Sequence, residues 1–295
     1  MFTVYNLNIY RNHLYTYSFY NESKVVLSKT IDEGEIINEV PVVSKYEHSL
    51  LGWKDDNNNE VEFPYVIKRN VRFYANWKIN EYMVVFDTDG GNTINSMSIP
   101  YGTTLNLPTP VKGNDIFVGW EYNDRLYNQI EVKKGISLKA IWTKDFRVKL
   151  LDDGTVEVVK YIGSDKEVNE FPKYTTIIGD YAFEGSNIEG IEIPSSVTNI
   201  SNTAFKSCNN LASITVDSNN KVYDSRENCN AIIETLTNTL IIGCGSITIP
   251  NSITSIGSYA FNNYMDITSI TIPINGKRNS PIENSKNLIV YTKKL

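Results

Sequence analysis

Apolar positions recur through the second half of the chain. Ile178-Gly-Asp-Tyr-Ala-Phe183, Ile200-Ser-Asn-Thr-Ala-Phe205 and Ile256-Gly-Ser-Tyr-Ala-Phe261 share one spacing. Each is followed by an apolar-x-apolar tripeptide, Ile191-Glu-Ile193, Ile214-Thr-Val216 and Ile270-Thr-Ile272, and a further copy, Ile247-Thr-Ile249, precedes the third Ala-Phe pair. Phe183 and Phe205 lie 22 residues apart, Ile249 and Ile272 23. A fixed period of this length predicts a solenoid in which each coil adds one strand and shares its interior with its neighbours. The core frame reads Ile188, Ile191, Ile193; Leu211, Ile214, Val216; Cys244, Ile247, Ile249; and Ile267, Ile270, Ile272. Cys244 fills an otherwise aliphatic column, where a buried thiol acts as a small hydrophobe. Pro194, Pro250 and Pro273 stop the strands, having no ladder donor. Each Ala-Phe pair supplies a small residue for close approach and a ring for the centre, so the stacked coils are expected to share one continuous interior.

A longer period runs through the first half. Phe19 to Trp53 spans 34 residues, as does Phe86 to Trp120; Gly52-Trp53 matches Gly119-Trp120, and Phe73-Tyr-Ala-Asn-Trp77 matches Leu138-Lys-Ala-Ile-Trp142. Gly34 and Gly102 sit at near-equivalent places. Runs such as Tyr82-Met-Val-Val-Phe86 and Ile116-Phe-Val-Gly-Trp120 are strand signals, and Asp89-Gly-Gly91 is a turn. The first copy has Phe19-Tyr-Asn-Glu-Ser23 where the double glycine belongs, so its first turn must differ in shape. The recurring tryptophans read as core rather than as sugar platforms. Asp55, Asp56 and Asn57-Asn-Asn59 read as a solvated hairpin loop, without the ligand spacing of a calcium hand.

Between the halves, Phe146–Leu151 and Thr155–Ile162 alternate around Asp152-Asp-Gly154 and predict a hairpin that caps the first coil. Asp152 and Asp153 read as turn residues. Val85-Phe-Asp-Thr-Asp-Gly-Gly91, Tyr101-Gly-Thr103, Gly119-Trp120 and Ala140-Ile-Trp142 resemble the internalin B-type, or Listeria-Bacteroides, repeat. That resemblance implies a small β-grasp-like module. Asp152-Asp-Gly-Thr-Val-Glu157, Ile178–Phe183, Ile191-Glu-Ile-Pro194 and Val197-Thr-Asn-Ile200 resemble the BspA-like leucine-rich repeat family, and Ile214–Cys244 resembles an irregular unit that this family carries. Phe171-Pro-Lys-Tyr-Thr-Thr176 is shorter than the family's entry, so the first coil is expected to be irregular. The fold class expected is mainly β: two small β-grasp-like modules at 1–79 and 80–144, then a leucine-rich-repeat solenoid with a β-hairpin N-terminal cap at 145–295. Ile274–Ser280 reads as loop and Leu288-Ile-Val290 as a last strand.

Val216 to Ile249 spans 33 residues, ten more than one period, and in that insertion strands Asn230–Glu234 and Thr239–Ile242 form a hairpin. A Leu236-Thr237 loop sets Cys229 opposite Cys244 and makes a disulfide possible, whereas a Thr237-Asn238 loop, favoured by asparagine's tolerance of positive φ, sets Cys244 opposite Ala231; the core column of Cys244 favours free thiols. Three cysteines give no disulfide framework and no CxxC spacing for zinc.

Composition narrows the function. With 34 acidic and 28 basic residues the net charge is -6, and no basic stripe stands ready for nucleic acid. No apolar run approaches ~18 residues, so no membrane span is expected, and Met1-Phe-Thr-Val-Tyr-Asn6 lacks a secretory pattern. Only His13 and His48 occur, both ahead of the solenoid. The strand face carries Glu189, Glu192, Thr215, Thr248, Thr268 and Thr271 among small neighbours, with no nucleophile beside a base. Threonine also suits strands for structural reasons alone. We therefore expect a monomeric, non-enzymatic protein without cofactor or metal, whose solenoid is a seat for a protein partner. Both resemblances imply a bacterial cell-surface or secreted adhesion protein facing host matrix or cell-surface proteins. An accessory region of a larger surface enzyme and an intracellular interaction scaffold are the alternatives.

Overall fold

The computed structural model describes residues 13–244, 247, 249–261, 269–273, 277–278 and 289–293. These are mainly β, with no α-helix among them. They form two compact units: one takes the chain up to Met83 with Ser98–Thr103 and Val132–Gly135, the other takes Val84–Met97, Thr104–Glu131 and the chain from Ile136 on.

The first module runs β1 (Leu14–Asn21), β2 (Lys24–Asp32), β3 (Ile36–Ile37), β4 (His48–Lys54), β5 (Glu60–Val61), β6 (Tyr65–Val66) and β7 (Val71–Ile79). Its sheet has the order β2-β1-β7-β4-β5, with β1 and β7 parallel, and β3 pairs with β6. Alternation turns Tyr17, Phe19, Val71 and Phe73 to one side, where Trp53, Ile37 and Ile67 close the core. Phe19 meets Trp53 edge-on at 4.7 Å and Phe73 at 4.9 Å.

The second module repeats this order. Its strands are β8 (Glu81–Asp87), β9 (Met97–Pro100), β10 (Thr104–Asn106), β11 (Ile116–Tyr122), β12 (Arg125–Tyr127), β13 (Gln129–Glu131) and β14 (Ile136–Thr143), and the sheet reads β9-β8-β14-β11-β12. Both copies shift register just before the Gly-Trp pair, and Trp53 opposes Ala75 as Trp120 opposes Ala140. Gly34 and Gly102 both take positive φ, +87° and +77°, and their amides bond to the carbonyls of Ile67 and Val132. Trp53 and Trp120 are core residues, 5% and 0% exposed. The first turns differ, as the missing double glycine implied. Glu22-Ser23 joins β1 to β2 directly. In the second copy a Cβ on Gly91 would stand 2.9 Å from the Trp142 ring, so glycine is required there.

The hairpin β15 (Phe146–Leu150) and β16 (Val156–Tyr161) forms where expected, with Asp153 Oδ1 accepting the Thr155 amide at 2.9 Å. Repeats then follow as β17 (Glu167–Val168), β18 (Thr175–Ile178), β19 (Gly190–Ile193), β20 (Asn199–Ile200) and β21 (Ser213–Val216). Odd and even strands build two parallel ladders, β17-β19-β21 and β16-β18-β20. The rung β17 comes one coil earlier than the apolar frame that starts at Ile188. Only Val168 marks it, because a two-residue rung buries a single side chain.

The insertion forms β22 (Tyr223–Asp224), β23 (Ala231–Glu234) and β24 (Thr239–Gly243), followed by β25 (Ser255–Ile256). Its hairpin keeps the Leu236-Thr237 register at the turn, Glu234 opposite Thr239 and Ile233 opposite Leu240; a bulge then sets Ile232 opposite Ile242. Neither sequence register survives the whole hairpin. The bulge leaves the Cys244 amide bonded to the Asn230 carbonyl. All three cysteines are buried thiols outside any disulfide. The last rungs are β26 (Ser269–Pro273), β27 (Lys277–Arg278) and β28 (Ile289–Lys293). Lys277–Arg278, read as loop, pairs in parallel with β25, while β28 pairs with β26 as the expected final strand.

Phe183, Phe205 and Phe261 are all buried. Phe183 and Phe205 stack at 4.9 Å and 14°, and Tyr161, Phe146 and Phe171 extend the column toward the hairpin. Phe261 belongs to a second cluster, with Cys229, Ala231, Ile233, Leu240 and Ile253. The interior is therefore divided at the insertion rather than continuous, since the bulged hairpin puts Ile232 and Ile242 in one cluster and Ile233 and Leu240 in the other.

Candidate interaction surface

On the ladder β17-β19-β21, Val168, Ile191 and Ile214 point inward in register, at 4%, 2% and 1% exposure. Alternation then sends Glu167, Gly190 and Ser213 outward in one column and Glu192 and Thr215 in another. The Glu167 carboxylate lies across Gly190, with Oε2 1.9 Å from where a Cβ would stand. Beside them Lys166, Glu189 and Ala212 form a third column, joined by 2.7 Å bonds from the Glu189 and Ala212 amides to the carbonyls before them.

The proposed site residues fare differently. Glu189 is ion-paired with Lys166, and that hydrogen bond holds the lysine above its ordinary range. Glu192 and Thr215 stand exposed, neighbours across β19 and β21. Thr271 lies on β26, which pairs with β28. Thr248 and Thr268 lie outside the described residues. Glu167, which belongs with Glu192 on this face, was missed because its rung was missed.

The two ladders use their hydroxyls differently. On the β16-β18-β20 side, Thr176 donates to Thr155 at 2.9 Å, Ser196 to the Thr175 carbonyl at 2.6 Å and Thr198 to the Thr176 carbonyl at 3.4 Å. Ser201 and Thr203 both donate to Asp180, and these bonds, Ser201's first, hold that carboxyl below its usual range. On the other ladder, the outward hydroxyls of Ser213 and Thr215 and the carboxylate of Glu192 make no hydrogen bond to the protein among the described residues. Both ladders stop at the insertion. The Tyr223 hydroxyl accepts the Ile200 amide at 3.2 Å and Ser225 Oγ accepts the Val216 amide at 3.1 Å, replacing the next strand.

A second concavity was not foreseen. A cleft of roughly 440 Å³ in the second unit is lined by Asp89, Lys112, Lys139, Trp142, Phe171 and Lys173 among others. Its charges are largely paired: Lys112 and Lys139 meet Asp89, and Lys112 also meets Asp115. The Trp142 ring is held by its Nε1 donating to the Thr88 carbonyl at 3.1 Å. His13 lies beside Glu33 and His48 against the Tyr46 carbonyl, both in the first module. Among the described residues no three His, Cys, Asp or Glu side chains are grouped to hold a metal, and no helix is long and apolar enough to cross a membrane.

Residues 164–240 and 238–285 match the BspA type leucine rich repeat region, in six copies, and residues 15–76 and 82–141 match the Listeria-Bacteroides repeat domain. The chain is 28% identical over 203 residues to an Evansella cellulosilytica protein named "Putative membrane protein", covering 62% of this chain and 30% of that one. It is 28% identical over 98 residues to Internalin H of Listeria monocytogenes, covering 32% of this chain and 18% of that one. It thus spans less than a third of the length of these relatives. A leucine-rich repeat protein of Eubacterium ventriosum shares 26% identity over 38% of this chain and 37% of its own, with a TM-score of 0.31. For one of Bacteroides ovatus the values are 24%, 51%, 40% and 0.33.

Proposed function

We propose that this chain, two Listeria-Bacteroides repeats followed by a BspA-type leucine-rich repeat region, is a non-enzymatic binding protein of the bacterial cell surface. In this reading a short solenoid from residue 145 onward offers its β17-β19-β21 face to a protein partner, and two β-grasp-like modules at 1–79 and 80–144 carry it. Leucine-rich and internalin-type repeats are protein-interaction repeats, and parallel stacking gives them an extended face without a reaction pocket. One observation carries the choice of face: hydroxyls on the opposite ladder are bonded between repeats, whereas Ser213, Thr215 and Glu192 are left to meet something else.

The partner class is a matrix or host-surface protein whose contacting segment brings hydrogen-bond donors and positive charge to Glu167 and Glu192. The full chain, passed over immobilised purified matrix and host-surface proteins, should bind at least one of them. The pair Glu192→Arg with Thr215→Arg should weaken that binding at least tenfold, while Thr198→Arg on the opposite ladder should not. Equal binding by all three proteins would refute the assignment of the face, and turnover of a substrate would refute the non-enzymatic reading.

A further inference from the structure

The outward side of the second module's sheet is buried over β11 and β12, although Met83 and Val85 on β8 stay exposed. Val118, the bulge residue of β11, and Leu126 on β12 pack with Val156 of β16, and Ile141, Val148, Leu150 and Tyr174 close around them. Leu150 rests on Gly119, where a Cβ would stand 3.3 Å from both Leu150 Cδ2 and Leu126 Cβ. The hairpin turn approaches as closely. Gly154 holds φ at +81°, and a Cβ there would fall 2.2 Å from Arg125 Cγ and 2.9 Å from the Leu126 carbonyl. Its own carbonyl accepts the Leu126 amide at 3.3 Å, and Arg125 Nη2 donates to the Asp152 carbonyl at 3.0 Å. Beside this apolar seat, Glu121 accepts hydrogen bonds from both Lys173 and the Tyr174 hydroxyl.

We infer that the second module is the permanent end-cap of the repeat region, folding with it as one cooperative body instead of serving as a separable spacer. The β15-β16 hairpin covers the open end of the coil column, but a hairpin alone is marginal in water, and the module's sheet covers the hairpin's other side. The partner this surface fits is therefore the hairpin of its own chain. This inference concerns how the repeats are held, and it stands whether or not the binding face is assigned correctly.

Hydrogen–deuterium exchange on the full chain tests it. Leu126→Asp should speed exchange at least tenfold in β16 and β18 as well as in β11 and β14, while β1 and β7 keep their wild-type rates. Because Leu126→Asp could unfold the module outright, Glu121→Lys provides a second arm. It should speed exchange in β11 and β16 together, and adding Lys173→Glu should restore both. If β11 and β14 loosen while β16 and β18 keep wild-type rates, or if the double reversal restores neither side, the module is a separate spacer and the inference falls.

Discussion

The two amino-terminal modules have one strand order and one register, yet they differ in what lies on the outward side of the sheet. By register, Leu51 corresponds to Val118, Glu60 to Leu126, Asn76 to Ile141 and Lys54 to Glu121. In the second module Val118 and Leu126 are buried, Ile141 is half-buried against them, and Glu121 is bonded across to Lys173 and Tyr174. In the first module Leu51 is 61% exposed and Glu60 is exposed. The inner cores are equivalent: Phe19, Trp53 and Phe73 do what Phe86, Trp120 and Leu138 do. One fold is thus made by the inward residues, while the outward residues differ: Val118 and Leu126 are buried against the hairpin in the second module, and Leu51 and Glu60 are exposed in the first.

The largest effect expected comes from the shared cores. Trp53→Ala and Trp120→Ala should each cost about 3–5 kcal/mol, but calorimetry should show the first lowering only the first module's transition and the second lowering the repeat region's too. Equal reach would break the comparison. Outward positions should separate the modules more sharply. Leu126→Ala should cost about 2–4 kcal/mol in urea unfolding, and Leu51→Ala, at the matching place, no more than about 0.5 kcal/mol.

A smaller effect belongs to Glu121, held below the usual carboxylate range by the hydrogen bond from Lys173 and then that from Tyr174. A depressed folded pKa gives stability that is complete above the unfolded value of about 4.3 and lost as pH falls through the folded value. Glu121→Gln should cost about 1 kcal/mol at neutral pH and flatten the acid limb of the stability curve below about pH 4.3. The smallest effect concerns the exposed pair Lys166 and Glu189 on the ladder face: Glu189→Gln should leave the unfolding midpoint unchanged, because water screens the pair.

Much of this was legible in the sequence. Period and strand signals located the recurring strands of both halves and the hairpin, because each rests on inward side chains recurring at fixed spacing. One outward replacement was equally visible once the copies were aligned: Asn76 against Ile141 already marks a polar position turned apolar. Three features were not legible. The rung β17 buries one residue, too few to make a pattern; the bulge in the insertion hairpin depends on backbone geometry that two candidate loops could not reveal; and the division of the interior follows from that bulge. Of the candidate face, the exposed threonine and glutamate columns were readable, but the Lys166–Glu189 pair needed β17 to be placed first.

The most direct test of the binding face is a photo-activated cross-linker placed at Thr215 and, in a separate protein, at Leu51, each mixed with the matrix or host-surface protein that the full chain binds. The account predicts cross-links from position 215 and none from position 51. Cross-links from position 51 alone would put the binding surface on the first module's open sheet and contradict the account.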